Sequence, residues 1–177
     1  MGKVIESTFV SLDGVIGDPQ VWGPPYWDDE HNAYASKLLL GSEALLLGRE
    51  TYEGFAAAWP QRSGFEYADR INAMPKHVAS RTLEGELDWN ASVLPGDDLA
   101  AEVSALKASG DLLKFGTGEL SRALLADRLV DEYHFWVFPV VAGGGQRLFE
   151  GLDTTHLKLV DADRFESGIV VHVLEPK

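Results

Sequence analysis

Cysteine is absent from the 177 residues, which excludes thiolate nucleophiles, thiolate metal sites and disulfides and leaves the redox compartment unmarked. Positive charge is also scarce. Fifteen Lys and Arg against 28 Asp and Glu give a formal net charge of −13. Nucleic-acid affinity rests on Lys and Arg neutralising phosphates, and acidic membranes repel an anionic surface, so neither is an expected partner. No apolar run approaches the roughly 20 residues that a membrane-spanning helix needs. The Met1-Gly2-Lys3 start leads directly into a strand-like run, without the n-region, h-region and cleavage site of a signal peptide, so a cytoplasmic protein is expected. The five histidines, His31, His77, His134, His156 and His172, show no HExxH or other ligand spacing, and no metal site is expected.

What is present is the composition of a folded domain. Apolar residues make up 45% and charged residues 24%, proportions that argue against a disordered or fibrous chain. With no repeat, linker or shift in composition, the chain reads as a single domain over residues 1–177. Lys3 to Val10 predicts a first strand, ended by the turn chemistry of Ser11-Leu12-Asp13-Gly14. A Gly-, Pro- and Trp-rich loop follows from Val15 to about Trp27. Asp28, Asp29 and Glu30 favour a helix start, and the helix stops at Gly41. Ala44 to Leu47 predicts a strand buried on both faces, followed by a helix over Thr51 to Ala58. Lys76 to Ser80 predicts another strand, Gly85 to Val93 one or two weak ones, and Asp97 or Asp98 caps a helix reaching about Ala108. Leu112 to Phe115 is a strand feeding Gly116-Thr117-Gly118 and a helix to Ala126. From Glu132 the period changes to that of strands, over Glu132 to Val141, Leu157 to Val160 and Ile169 to Leu174. These elements describe an α/β body with a late antiparallel part.

Two predicted strands end in glycine turns that open helices, at Gly48 and at Gly116. Helix N-termini at strand ends present free N–H groups and partial positive charge, which suits phosphates. Gly116-Thr117-Gly118 is not the GxGxxG fingerprint, and its plain alternative is a tight strand-to-helix turn. Arg49 either pairs with a phosphate beyond Gly48 or forms an i,i+4 ion pair with Glu53. Ser80-Arg81-Thr82 ends a third strand, either as a partner for a 2′-phosphate or as a capped loop with a solvated Arg.

SLDGVIG (Ser11 to Gly17), LLLGRETYEGF (Leu45 to Phe55), PKHVASRTL (Pro75 to Leu83) and KFGTGELSRALLADRLVDEYHFWVFPVVAGGGQRLF (Lys114 to Phe149) resemble the dihydrofolate reductase-like superfamily. Within it, the likeness is to stand-alone proteins similar to the C-terminal reductase domain of the bifunctional riboflavin-biosynthesis deaminase-reductase. The resemblance implies a three-layer fold, with a mixed, mainly parallel central sheet, helices on both faces and a C-terminal antiparallel part. It also implies NADPH as cofactor. Gly48, Arg49 and Thr51 would contact its phosphates, Ser80 and Arg81 its 2′-phosphate side, and Gly116, Thr117, Gly118, Glu119 and Leu120 its pyrophosphate and nicotinamide side. The Gly143-Gly144-Gly145 run, by composition a mobile hairpin loop, would lie near the nicotinamide and substrate cleft.

A hydride reductase holds the nicotinamide against an electron-poor carbon, excludes water and arranges a proton. Asp13 and Asp28 are the candidate catalytic carboxylates, each with a structural alternative, as turn former and as helix N-terminal charge. Trp22 and Trp27, with Tyr26, either stack on a flat substrate or pack the loop onto the core. His31, near this cleft, reads as a solvated helix residue. The implied substrate is a small heterocycle, pterin-, dihydrofolate- or 5-amino-6-(5-phosphoribosylamino)uracil-like. The WGPPYWDDEH segment departs from the pattern of true dihydrofolate reductases and leaves substrate identity open. A non-catalytic dinucleotide-binding or ligand-sensing module is the alternative; a flavin fits the Arg49 and Arg81 pair less well than NADPH. In a regular strand Tyr133, Phe135 and Val137 oppose His134, Trp136 and Phe138. One face forms core, and the other is too aromatic for water, so a homodimer through the late sheet is expected.

Overall fold

The computed structural model describes residues 1–95 and 97–177. The chain forms two compact units, one built from Met1–Val4 and Ser36–Phe115, the other from Ile5–Ala35 and Gly116–Lys177. Among the described residues, eight strands pair mainly in parallel, with an antiparallel C-terminal part.

In the first unit the order is β4 (Ala91–Leu94), β3 (Lys76–Ala79), β2 (Ala44–Gly48), β5 (Leu112–Phe115), all parallel. Leu45, Leu46 and Leu47 are fully buried, which is what a continuous apolar strand requires when both its faces are covered. The register pairs Gly48 with Ala79, so the ends of β2 and β3 are neighbours. The helix α3 (Arg49–Ala58) follows β2 without a break, starting ahead of the expected Thr51, and packs on β2 and β3. The helix of Asp97 or Asp98 appears as α5 (Leu99–Lys107), with Asp98 accepting a hydrogen bond from the Ala101 N–H at 3.0 Å.

The helix α4 (Glu66–Ala73) was not expected. Asn72 on it gathers the surrounding chain. Its Nδ2 donates to the Trp59 and Arg62 carbonyls at 3.1 and 2.9 Å, and its Oδ1 accepts from Trp89 Nε1 at 2.7 Å. The Asn72 carbonyl accepts from Lys76 Nζ at 2.8 Å, and that ammonium lies 4.0 Å from the Trp89 ring centroid. Lys76 is fully buried, and burial brings its amine down to about 8. These attachments shape the approach to β4, the one strand that forms within the Gly85 to Leu94 region.

In the second unit the order is β1 (Val4–Ser11, entering from the first unit), β6 (Glu132–Phe138), β8 (Val170–Pro176), β7 (Leu157–Arg164). β1 and β6 are parallel, and β6, β8 and β7 are antiparallel, with an irregularity between Leu159 and Asp161. The segment expected as a loop contains a short helix α1 (Pro19–Trp22) and a 3-10 turn (Pro24–Tyr26). Then comes α2 (Asp29–Leu40), and α6 (Glu119–Ala126) leads towards β6.

Both faces of β6 are covered by rings of the same chain, so the expected aromatic face open to a second copy is not there. Trp136 meets Phe9, His31, Tyr34 and Phe165, and Phe138 meets Phe9, Trp22 and Tyr26. On the other side, Tyr133 and Phe135 meet Phe149. The apolar residues this unit leaves exposed on its last sheet are Leu159 and Val160, on β7. Among the described residues no helix is long and apolar enough to cross a membrane.

Candidate functional site

In the first unit Gly48 is the N-cap of α3 and supplies no side-chain cap. The first-turn N–H groups there have no intrahelical acceptor, so the turn is electropositive. Arg49 and Thr51 lie in that first turn. Arg49 forms the i,i+4 ion pair that was its structural alternative. Its Nε donates to Glu53 Oε1 at 2.8 Å, and its Nη1 donates to Thr82 Oγ1 at 2.7 Å, while about half of its side chain stays exposed. Ser80 Oγ accepts from the N–H groups of Thr82 and Leu83 at 3.2 and 3.1 Å. That turn leaves Arg81 exposed. Gly48, Arg49, Thr51, Ser80 and Arg81 thus share one pair of strand ends, with a helix N-terminus and two guanidinium groups, that of Arg49 already bonded to Glu53 and Thr82 and that of Arg81 on an exposed residue.

In the second unit Gly116 has φ 68°, a conformation that favours glycine because it has no Cβ. Its carbonyl accepts from Ser121 Oγ at 3.3 Å. Gly118 is the N-cap of α6, again with no side-chain cap, and a Cβ placed on it would meet open space. Thr117 and Gly118 line a small cavity with Arg122, Gln146, Arg147 and Phe149. Glu119 and Leu120 form the first residues of α6. Arg122 and Arg147 beside this turn already donate to the carbonyl oxygens of Glu150 and Asp13.

Asp13 is fully engaged. Its Oδ1 accepts from Ser11 Oγ at 2.6 Å and the Ala142 N–H at 2.9 Å, its Oδ2 accepts from the Gly143 N–H at 2.9 Å, and Arg147 donates to its carbonyl oxygen. The Ser11 hydroxyl, followed by the two backbone N–H groups, holds this carboxyl at about 2, so it is ionised at neutral pH. Its geometry is that of a clamp on the start of the Gly143-Gly144-Gly145 segment. Asp28 Oδ1 accepts from the His31 N–H at 2.9 Å, capping α2 as its structural alternative requires.

Trp22 donates from Nε1 to the Gly17 carbonyl at 2.9 Å and meets Phe138 edge-on. Tyr26 donates to the Pro139 carbonyl at 3.0 Å. Trp27 is 43% exposed and stacks on His31. His31 is not the solvated residue expected: it is 8% exposed, because α2 turns it onto Phe9 and Trp136. Sequence reasoning also missed a chain running from Tyr34 Oη to His134 Nδ1 at 2.7 Å and from His134 Nε2 to Glu132 Oε1 at 2.6 Å. No local signal joins Tyr34 to His134, which meet only through the packing of α2 on β6.

A family model described as the RibD C-terminal domain matches residues 2–171. The chain is 29% identical over 135 residues to the uncharacterized protein YyaP of Bacillus subtilis (strain 168), across 72% of this chain and 71% of that one. Its fold is similar to that of a putative riboflavin biosynthesis protein from Shewanella sp. PV-4, with a TM-score of 0.74 and 21% identity over 99% of both chains. It is also similar to RibD of Acinetobacter baumannii, with a TM-score of 0.72 and 17% identity, all of this chain matching 58% of that one. The diaminohydroxyphosphoribosylaminopyrimidine deaminase/5-amino-6-(5-phosphoribosylamino)uracil reductase of Thermotoga maritima gives a TM-score of 0.71 and 16% identity, over 99% of this chain and 57% of that one. This chain therefore spans a little over half the length of those two proteins.

Proposed function

The chain belongs to the RibD C-terminal domain family, and on that premise we propose that it is an NADPH-dependent reductase acting on a small nitrogen heterocycle. The observation that carries the reading is the end of β2: an uncapped α3 N-terminus with Arg49 in its first turn and Arg81 exposed beyond the neighbouring strand. Such a group of donors suits the additional phosphate that distinguishes NADPH from NADH. Gly48, Arg49 and Thr51 would hold cofactor phosphate, with Ser80 and Arg81 on the 2′-phosphate. Gly116, Thr117, Gly118, Glu119 and Leu120 would take the pyrophosphate and nicotinamide side. When bound, the nicotinamide supplies the hydride.

The chain's own contribution is positioning and exclusion of water. Trp27 offers an exposed aromatic face to a flat substrate, and Trp22 backs the same loop. Asp13 fixes Ala142 and Gly143, and Asp28 fixes the start of α2, so each acts in this reading as a positioning residue.

One observation favours the second reading, a ligand-sensing module. Both candidate carboxylates are already bonded to backbone N–H groups of their own chain. A single assay separates the two: loss of NADPH absorbance with dihydrofolate, ribitylated and phosphoribosylated aminopyrimidines, and small carbonyl compounds. Turnover of a heterocycle is the expected result. Cofactor binding without turnover of any compound would overturn the reductase in favour of the sensor.

A further inference from the structure

The Asp13 carboxylate occupies a cradle built for an anion. The Ala142 and Gly143 N–H groups donate to its Oδ1 and Oδ2, both at 2.9 Å, and Ser11 Oγ donates to Oδ1 at 2.6 Å. Gly143 has φ 86°, and successive N–H groups that converge in such a turn form a concavity suited to phosphate or carboxylate. Here the chain fills it with its own side chain. Ser11 and the two N–H groups hold that carboxyl at about 2, so the cradle carries a negative charge at neutral pH. Neighbouring donors are engaged as well: the Leu12 N–H goes to the Val140 carbonyl at 2.8 Å, that of Gly14 to the Ser11 carbonyl at 3.0 Å, and that of Ile16 to the Gln146 carbonyl at 2.8 Å.

The chain around this cradle carries acids and apolar residues. Residues 5–35 hold six carboxylates and no Lys or Arg, and residues 129–146 hold two carboxylates and no Lys or Arg. Arg147 comes next, but it donates to the Asp13 carbonyl and lines the cavity of the Gly118 turn with Arg122. The bond from Leu12 to Val140, followed by those from Ala142 and Gly143 to Asp13, sets Leu12 beside Val141. These two side chains are 67% and 68% exposed. Val21 and Trp27, exposed too, come from the adjoining loop, which Tyr26 ties to the Pro139 carbonyl. Four of the nine large apolar residues left exposed among the described residues thus belong to this one end. A single exposed apolar residue is ordinary. A group of them at the carboxyl ends of two parallel strands, β1 and β6, lies where open α/β sheets collect ligands.

We propose that this end of the second unit is a specificity filter that admits a flat substrate bearing an apolar substituent and rejects its phosphorylated counterpart: Asp13 fills the anion cradle, and Leu12 and Val141 take the substituent. This deepens the reductase reading, on which it rests for the idea that the ligand is a substrate. Phosphate oxygens need charge-assisted donors. At this junction the N–H groups that could serve are bonded to Asp13, and the remaining charges repel a dianion. An apolar group loses nothing to either and gains by covering Leu12 and Val141.

The test is an NMR titration of the whole protein at neutral pH and low ionic strength with 1-naphthol and 1-naphthyl phosphate, flat probes that differ in the phosphate. Read at the Leu12 and Val141 methyl groups and the Trp27 indole N–H, 1-naphthol should bind at least about tenfold more tightly, because low salt leaves the carboxylates unscreened. Val141→Lys, at an exposed position, should tighten 1-naphthyl phosphate at least about tenfold at the Leu12 methyl groups, and Asp13→Ala should do the same by emptying the cradle. Equal or tighter binding of the phosphate to the unaltered protein at these resonances overturns the proposal, and so does the absence of any shift with either probe. Resonances that move with protein concentration alone would assign the face to a second copy and overturn it as well. An unchanged ratio in folded Val141→Lys also overturns it, whether or not Asp13→Ala folds. NADPH is titrated separately into the unaltered protein. Preference for 1-naphthol without NADPH binding would sink the reductase reading and leave the filter, whereas NADPH binding without the preference would sink only the filter.

Discussion

Arg49 holds Glu53 and Thr82 at once, so its guanidinium is already oriented in the absence of any ligand, and its replacement should be felt chiefly by a phosphate. Charge-assisted hydrogen bonds contribute about 1.5–3 kcal/mol. Arg49→Ala and Arg81→Ala should each weaken NADPH by about tenfold or more while changing NADH much less. Calorimetric titration of both cofactors checks this, and equal losses for the two would remove the arginines from 2′-phosphate recognition. Asp13 makes a pH prediction. Its carboxyl is lowered from the ordinary 3.8 to about 2, so its clamp is fully present above the higher value and is lost as pH falls through the lower one. Hydrogen exchange at Ala142 and Gly143 should accordingly remain protected at pH 5, and Asp13→Asn should remove that protection. Lys76 has the opposite dependence: with its amine at about 8 against 10.5, the unfolded chain binds more protons between those values. Its contribution to stability should rise with pH across that window, and Lys76→Met should flatten the rise in urea melts. The sequence offered Gly48 and Arg49 as candidates because a strand end, a glycine and a helix start adjoin in the chain, whereas the Asp13 clamp was hidden, since its partners Ala142 and Gly143 lie 129 and 130 residues away. It did not make His31 or Lys76 legible, since their burial depends on Trp27, Phe9 and Trp89, rings supplied from other elements.

At the level of elements, strands with a continuous apolar run were readable, and so were helices that follow a glycine. β2 and β5 appear where Ala44 to Leu47 and Leu112 to Phe115 place them. The missed α4 buries only Ala68 and Ile71 among polar neighbours, a pattern too sparse to show a helical period between Pro60 and Pro75. β7 runs on to Arg164 because pairing with β8 carries it past Val160, although Asp161, Asp163 and Arg164 have little strand propensity of their own. Where a cap is the cause, the consequence is measurable. Asp28→Ala removes the acceptor of the His31 N–H and should destabilise the fold by about 1 kcal/mol, the usual cost of an N-cap. Thermal melts check the loss, and an unchanged midpoint would leave the cap without energetic weight.

For the whole molecule, the alternation of strand and helix followed by late strands was enough to indicate a mainly parallel sheet with an antiparallel end, which is the fold observed. The aromatic side of β6 is covered within the chain and leaves no apolar face for a second copy there. We propose that a homodimer forms through β7, an edge strand that exposes Leu159 and Val160 and offers its outer backbone edge to a second copy. Light scattering at micromolar concentration should give a dimer, and a monomer would contradict it. A formal charge of −13 opposes any anionic ligand, so the proposed cofactor binding would rest on local donors, those at the end of β2 above all. The most direct measurement of that claim is the paired titration of the unaltered protein with NADPH and NADH at equal ionic strength. The account predicts binding of both, with NADPH distinctly tighter; equal affinities, or no binding of either, would contradict it.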